Sequence, residues 1–414
     1  MKDFSSKTMT SVSRRRFIGG GLAVAASALP GFAGERSAEP AKTAEFKRKI
    51  KLGVIGNGGR GSWIAKLFQK HGGYEMWAVA DYFQEVADTC GDALGVEKAR
   101  RFSGLSGYRK LIESGVEAVA VETPPFFIPE HASAAVEAGL HVYMAKPVAA
   151  DVPGALRIEA AGKLATRKQR CFLVDYQMPT DPINIEVVAR IREGCLGKIA
   201  QVHTVGICNA FNDPPKTATI ESRLRGLIWV NDIALGCDYI GNFDIHAIDA
   251  AIWALGQRPV SAVGSSRIAR PDAHGDSHGV CSVVYEYADG LVHNHFGQGL
   301  HNNNTGELSA AIHGTEANAL INYWGKAYVR GGGKHYGGGA VENLYLAGAE
   351  RNIARFYRDV TECHFENATC KRAVDGVLAC ILGREAAARR VRLTMDELIG
   401  ENKRLEADLT GLKA

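Results

Sequence analysis

Nine cysteines occur in the chain, at positions 90, 171, 195, 208, 237, 281, 363, 370 and 380, yet none forms a C-x-x-C pair. That absence argues against a paired-thiolate zinc site, and no metal is expected. Charge of one sign is also scarce. The first 33 residues hold five of the 49 basic and one of the 45 acidic side chains, so the remainder carries 44 of each. With no basic excess there is no electrostatic footprint for a nucleic-acid partner. Long apolar runs are missing near the start: the stretch from Gly19 to Leu29 is rich in glycine and alanine and too short to cross a bilayer comfortably. No permanent membrane span is expected, and no internal repeat is visible.

Ser13-Arg14-Arg15-Arg16-Phe17-Ile18 precedes that stretch, and Pro30-Gly31-Phe32-Ala33 follows it with small residues suited to cleavage. The pattern reads as a twin-arginine export signal over residues 1–33, with an uncleaved tether as the other reading. A polar linker over 34–48 and a periplasmic location follow. Because this route exports proteins already folded in the reducing cytosol, the cysteines are expected to be mostly free and buried.

Gly56-Asn57-Gly58-Gly59-Arg60-Gly61 comes directly after the apolar run Ile50 to Ile55. A G-x-G-x-x-G loop between a strand and a helix needs Gly56 for the tight turn, Gly58 for close approach to a pyrophosphate, and Gly61 for helix packing. The helix start then offers free N–H groups and a positive dipole end to the phosphates. Asp81 ends the next apolar run, where a carboxylate would hold the adenosine ribose hydroxyls. It favours NAD over NADP, because a 2'-phosphate would be repelled there, and Arg60 could soften that preference.

Apolar runs at Ile50–Ile55, Met76–Ala80, Ala118–Glu122, His141–Met144 and Cys171–Val174 predict strands, alternating with helices at Gly61–His71, Tyr108–Glu113, Pro129–Ala138 and Gly154–Thr166. The fold class is therefore α/β, with an N-terminal Rossmann dinucleotide-binding domain over 49–175. Residues 176–414 predict a C-terminal α+β domain with an open, largely antiparallel sheet. It contains a helix near Ile183–Glu193 and strands near Ile199–Ile207, Val260–Ser266, Val280–Tyr287 and Leu291–Phe296. A surface loop is expected over Arg330–Ala340, and helices over Asn352–Phe365, Val374–Arg390 and Thr394–Leu412.

Three further strings carry a resemblance: Thr123-Pro124-Pro125 leading to His131; Ala138-Gly139-Leu140-His141-Val142 leading to Lys146-Pro147; and Asn242 through His246 and Asp249 to Trp253-Ala254-Leu255-Gly256. Together with the glycine loop, the chain resembles the glucose-fructose oxidoreductase/inositol dehydrogenase (Gfo/Idh/MocA) family. The resemblance implies hydride transfer between NAD and a small-molecule carbohydrate substrate, a sugar or polyol, in a homo-oligomer; the export signal, which places the enzyme where no NADH sink is expected, implies that the cofactor is retained. It places Gly56, Asn57, Gly58, Gly59, Arg60, Gly61, Asp81, Thr123, Pro124, His131 and Lys146 at the cofactor, and Lys146, Tyr176, Asn242, His246 and Asp249 at the substrate. Lys146 and His246 are the catalytic candidates.

Lys146 is an amine whose pKa desolvation would lower, and His246 has an ordinary pKa near neutrality; both suit proton transfer. On a helix, Asn242, His246, Asp249 and Trp253 would form one stripe. The sequence departs from the implied pattern at Ala145, where the family has the glutamate of E-K-P, and at Asn242, where it has an acidic residue. Asp244 could compensate for the second if the backbone turns it inward. His278, His293, His295 and His301 with Asn302 to Asn304 could line a polar wall or lie on the surface. Two alternatives stay open: an NAD-dependent glycoside hydrolase working by oxidation, elimination and reduction, and a non-catalytic protein that keeps NAD and binds carbohydrate.

Overall fold

In a computed structural model of the chain, residue 46 and residues 48–414 are described. The expected signal and all of the linker except residues 46 and 48 lie outside them. The first sheet contains β1 (Ile50–Ile55), β2 (Tyr74–Asp81), β3 (Arg101–Ser103), β4 (Ala118–Val121), β5 (His141–Met144) and β6 (Phe172–Val174). Its order is β3-β2-β1-β4-β5-β6, with every neighbouring pair parallel. Strands covered on both faces must be apolar throughout, and β4 and β5 are buried at every position.

The crossovers are α1 (Gly59–His71), α2 (Gln84–Leu94), α3 (Gly107–Ile112), α4 (Ile128–Glu137) and α5 (Val152–Arg167). Asp151 caps α5 by accepting the Gly154 N–H, and proline stands in its first turn, where no donor is lost. The strand order reverses between β1 and β4, and a ligand crevice opens at the carboxyl ends of such strands.

The chain then forms α6 (Pro182–Arg192), β7 (Ile199–Cys208), a short α7 (Ile233–Gly236), α8 (Ile245–Leu255), β8 (Ser261–Arg267), β9 (Val280–Glu286), β10 (Val292–Gly299), β11 (Glu307–Gly314), β12 (Ala317–Asn322), β13 (Gly325–Gly331) and β14 (Tyr336–Val341). It ends with α9 (Leu344–Thr361), α10 (Ala368–Arg389), β15 (Leu393–Thr394) and α11 (Met395–Glu401). The second sheet runs β14-β13-β12-β11-β7-β10-β9-β8-β15 and is antiparallel except for the parallel β7/β10 pair. α10 joins the two sheets: Val377 and Ile381 share one apolar cluster with Val142 and Ile158 on one side and Val283 and Tyr285 on the other. α9 follows the second sheet in sequence but packs Ile353 and Phe356 against Leu52 and Phe68 of the first domain.

Two expectations are corrected. The glycine-rich stretch 330–340 forms most of the β13/β14 edge hairpin, not a loop: Gly338 has φ +60°, and a Cβ there would stand 1.7 Å from the Ala327 carbonyl oxygen. Glycine permits both the backbone angle and the close strand approach. The helix expected over Thr394–Leu412 stops at Glu401, where Asn402 turns left-handed at φ +43°. A capping box between Thr394 and Glu397 fixes its start. Among the described residues no helix is long and apolar enough to cross a membrane. Eight of the nine cysteines are buried, and all nine are free.

Candidate active site

A cleft of about 820 Å³ opens at the carboxyl ends of β1, β2 and β4 and runs to the face of the second sheet. Gly56, Gly58, Gly59, Arg60 and Gly61 line one wall, whereas Asn57, also expected at the cofactor, is buried with its side-chain amide turned onto the Val54 carbonyl and does not line the cleft. Gly56 has φ +89°, and a Cβ on Gly61 would lie 1.9 Å from the Gly56 carbonyl oxygen, so the turn and the helix start exclude any side chain at these two positions. The side of Gly58 where a Cβ would stand is open. α1 begins without a side-chain cap or an acidic residue in its first turn, leaving N–H groups for an anion.

Asp81 receives the Asn57 N–H at 2.7 Å and the Phe83 N–H at 3.0 Å, which fixes its carboxylate at the cleft wall. Burial raises its pKa, and those two backbone donors oppose the rise. These features fit a dinucleotide: an open glycine edge, an uncapped helix start and an acceptor at the end of β2. Arg60 is not free to soften a preference against a 2'-phosphate. Its guanidinium pairs with Asp175 and stands 3.1 Å from Glu122, two carboxylates with no exposure of their own.

Thr123, Pro124 and His131 line the same cleft. The Thr123 hydroxyl lies 3.3 Å from His131 Nδ1, and burial lowers the His131 pKa to about 4, which keeps the ring neutral. Across from them stand Lys146, Asn242 and His246. The Lys146 ammonium donates to the Asn242 carbonyl. Burial, reinforced by the Arg60 charge, lowers its pKa to about 7. The pKa of His246 is pushed well below its ordinary value, by burial first and then by Lys146 and Arg60, and its Nδ1 has no partner among the described residues. Glu122 is raised to about 7, with burial the largest cause.

The expected stripe divides. Asn242 lies in a π-turn (Ile240–Asp244) before α8, not on the helix proper, and contributes its backbone carbonyl to Lys146. Asp249 is fully buried and receives Arg372 Nε at 2.8 Å; it does not line the cleft. Tyr176 is likewise turned into the core, while its neighbour Gln177 faces the cleft and holds Asp175 and Tyr323 at 2.9 and 3.2 Å. Asp244 does turn inward, but toward the second sheet and not the cleft.

His293 and His295 sit on the buried face of β10, so they form no wall of the cleft; His278, His301 and Asn302 to Asn304 do not line it either. Among the described residues Asp244, Cys281 and His295 bring their ligating atoms within 4.8 Å of one another, which sequence spacing alone did not indicate. The pair Asp244–His295 is already closed by a 3.1 Å hydrogen bond.

Asp175, Phe243, Tyr323, Trp324 and Tyr345 also belong to the site and escaped the sequence reading. An acidic residue directly after β6 could have flagged Asp175. The aromatics carry no local signal, because distant parts of the chain bring them in: Phe243 from the π-turn, Tyr323 and Trp324 from the β12/β13 turn and Tyr345 from the start of α9. Leu224 to Leu227 line the cleft near its Asp81 end, with Arg225 3.7 Å from the Phe83 ring centre and 2.6 Å from Glu85.

Residues 50–176 match the oxidoreductase family GFO_IDH_MocA, described by its NAD-binding Rossmann fold. The chain is 24% identical over 243 residues to inositol 2-dehydrogenase of Rhizobium meliloti (strain 1021), an alignment covering 58% of this chain and 66%, just under two thirds, of that enzyme. Among solved structures it resembles an inositol dehydrogenase homologue from Azotobacter vinelandii complexed with NAD+, with a TM-score of 0.69, 20% identity, and coverage of 84% of this chain and 98% of that one. It also resembles the aldose-aldose oxidoreductase of Caulobacter crescentus complexed with glycerol, at a TM-score of 0.68, 19% identity, and coverage of 84% and 100%. A levoglucosan dehydrogenase complexed with NADH and levoglucosan gives 0.67, 18%, 84% and 100%. The structural likenesses concern the fold; the sequence match shows that residues 50–176 are similar to the NAD-binding Rossmann domain of this oxidoreductase family.

Proposed function

We propose that the chain is an exported NAD-dependent oxidoreductase acting on a sugar or polyol, with the cofactor retained between turnovers. The observation that carries this reading is the cleft itself: Gly56, Gly58, Gly59, Arg60, Gly61, Asp81, Lys146 and His246 all line it. Gly56 to Gly61 and Asp81 would hold NAD, which supplies the hydride acceptor when bound. The protein supplies the base. A substrate hydroxyl in reach of His246 Nδ1 can lose its proton to a ring that burial keeps neutral, and one in reach of Lys146 Nζ can lose it to the amine in the neutral form that the lysine takes as pH rises through about 7. Because the Lys146 pKa lies at about 7, a rate that uses its neutral form rises with pH through that value.

The relatives named above act on or bind inositol, levoglucosan or glycerol, which supports the substrate class. Retention is supported by Leu224 to Leu227, which line the cleft beside its Asp81 end. Val263, Val284 and Phe296, exposed on the open face of the second sheet, support the expectation of a homo-oligomer.

A second reading is favoured by the presence in one cleft of two groups able to take a proton, the neutral His246 ring and Lys146 with its pKa at about 7. Oxidation of a glycoside hydroxyl acidifies the neighbouring C–H; one base removes that proton, the glycosidic oxygen leaves, and water addition followed by reduction restores the sugar. Nucleotide released from purified protein is to be quantified, and Lys146→Ala and His246→Ala assayed on sugars and aryl glycosides. Each variant should lose roughly 10²–10⁴-fold in turnover while keeping its nucleotide. Unchanged turnover in both sinks the catalytic assignment. Phenol release without net NADH selects the glycosidase reading, and reduction of cofactor by free sugars alone selects the oxidoreductase.

A further inference from the structure

A chain of buried polar groups runs from behind the cleft into the second sheet. Asp244 Oδ2 lies 3.1 Å from His295 Nε2, and His295 Nδ1 lies 2.9 Å from Thr204 Oγ1. Thr204 Oγ1 lies 2.6 Å from His293 Nε2, and His293 Nδ1 lies 3.3 Å from Tyr287 Oη. With Asp244 ionised, one proton arrangement satisfies every link. Tyr287 donates to His293, His293 to Thr204, Thr204 to His295, and His295 to the carboxylate.

The carboxylate is also keyed by shape. Gly206 of β7 and Gly297 of β10 are register partners on neighbouring parallel strands. A Cβ on Gly206 would stand 2.1 Å from Asp244 Oδ1, and one on Gly297 would stand 2.2 Å from Oδ2. Neither glycine has a positive φ, so their backbones would accept alanine; the space between them is what Asp244 occupies. Asp244 does not cap α8 and does not line the cleft. It closes the π-turn whose Asn242 carbonyl takes the Lys146 ammonium, and it lies two residues before His246.

We propose that Asp244 is a positioning residue for the Lys146 and His246 pair, locked into the Gly206/Gly297 notch and oriented by the His295–Thr204–His293–Tyr287 chain. Its anchorage sets where the Asn242 carbonyl meets Lys146 and where the His246 ring enters the cleft. This rests on the reading that Lys146 and His246 carry the chemistry.

Gly297→Ala tests it, because the new methyl group displaces the carboxylate while leaving both cleft residues intact. Turnover should fall at least about 10-fold, with KM changed less than about 2-fold and bound nucleotide unchanged. Competitive acetylation of Lys146 should become faster as the Asn242 carbonyl moves away. In the double variant Gly297→Ala/Asp244→Ala the clash with the carboxylate is relieved and only the 2.7 Å approach of the new methyl group to Cys281 Sγ remains: the melting temperature should recover in large part, but turnover should not. Recovery of both would reduce Asp244 to a space-filling role and overturn the proposal. So would a copurifying transition metal near one equivalent that disappears in Cys281→Ser, since the cluster would then be a metal centre. If Lys146→Ala and His246→Ala turn over normally, the underlying reading fails instead, and the acetylation result still decides whether Asp244 sets the lysine's surroundings.

Discussion

Gly61 packs against the Gly56 carbonyl oxygen so closely that a methyl group there would stand 1.9 Å from it. No rotamer change relieves this clash, because the obstructing atom is backbone; the loop or the helix must move. Gly61→Ala should therefore cost about 1–3 kcal/mol in stability and dislodge the N–H groups facing the cleft. Urea unfolding together with NAD titration measures both, and wild-type affinity in the variant would show that the turn is not the cofactor cradle. Gly58→Ala makes a useful contrast. Nothing lies within 4 Å of its Cβ position, so its stability should hold while its affinity falls.

Leu224 to Leu227 belong to the element on which the proposed cofactor retention rests. They come from the second domain yet lie over Tyr82 and Phe83 at the end of β2, and Lys413 holds the same rim through Tyr82 Oη at 3.1 Å and the Leu105 N–H at 3.0 Å. Replacing 224–227 with a Gly-Ser linker should speed NAD release about 10-fold without changing turnover at saturating NAD. Stopped-flow displacement reads this directly; an unchanged release rate would locate retention elsewhere. Neither 224–227 nor Lys413 announces itself in sequence, because their role depends on chain segments more than a hundred residues away. The parallel strands were legible because burial on both faces leaves continuous apolar runs. α2 and β3 were not, since Gln84 to Leu94 mixes polar and small residues and β3 is only three residues long. Lys146 and His246 were legible through local strings. Asp249 and Tyr176 were not resolved by them, because which side of an element faces the cleft is settled by packing partners such as Arg372.

Across the whole molecule, two opposing sets of buried groups govern stability in weak acid. His131, His141 and His293 have pKa values lowered to about 4, 4 and 3, mainly by burial. Between those values and the ordinary 6.5 the unfolded chain binds protons that the folded chain refuses, so each makes stability rise with pH. Glu122, Asp238 and Asp249 are raised to about 7, 7 and 6, again mainly by burial. Each holds a proton when folded that the unfolded chain has released, so each makes stability fall as pH rises from the ordinary carboxylate range through its folded value. The two slopes overlap between roughly pH 4.5 and 6 and oppose each other, which predicts a nearly flat stability there despite many buried titratable groups. Removing one side exposes the other. His141 accepts the Cys171 N–H at 2.9 Å, a bond that glutamine can also accept. In His141→Gln the plateau should tilt, with stability falling by up to about 1.4 kcal/mol per pH unit relative to wild type as pH rises across this window. Urea unfolding at half-unit pH steps measures the slope independently of the cost of the substitution itself; an unchanged slope would mean that His141 is protonated in the folded protein.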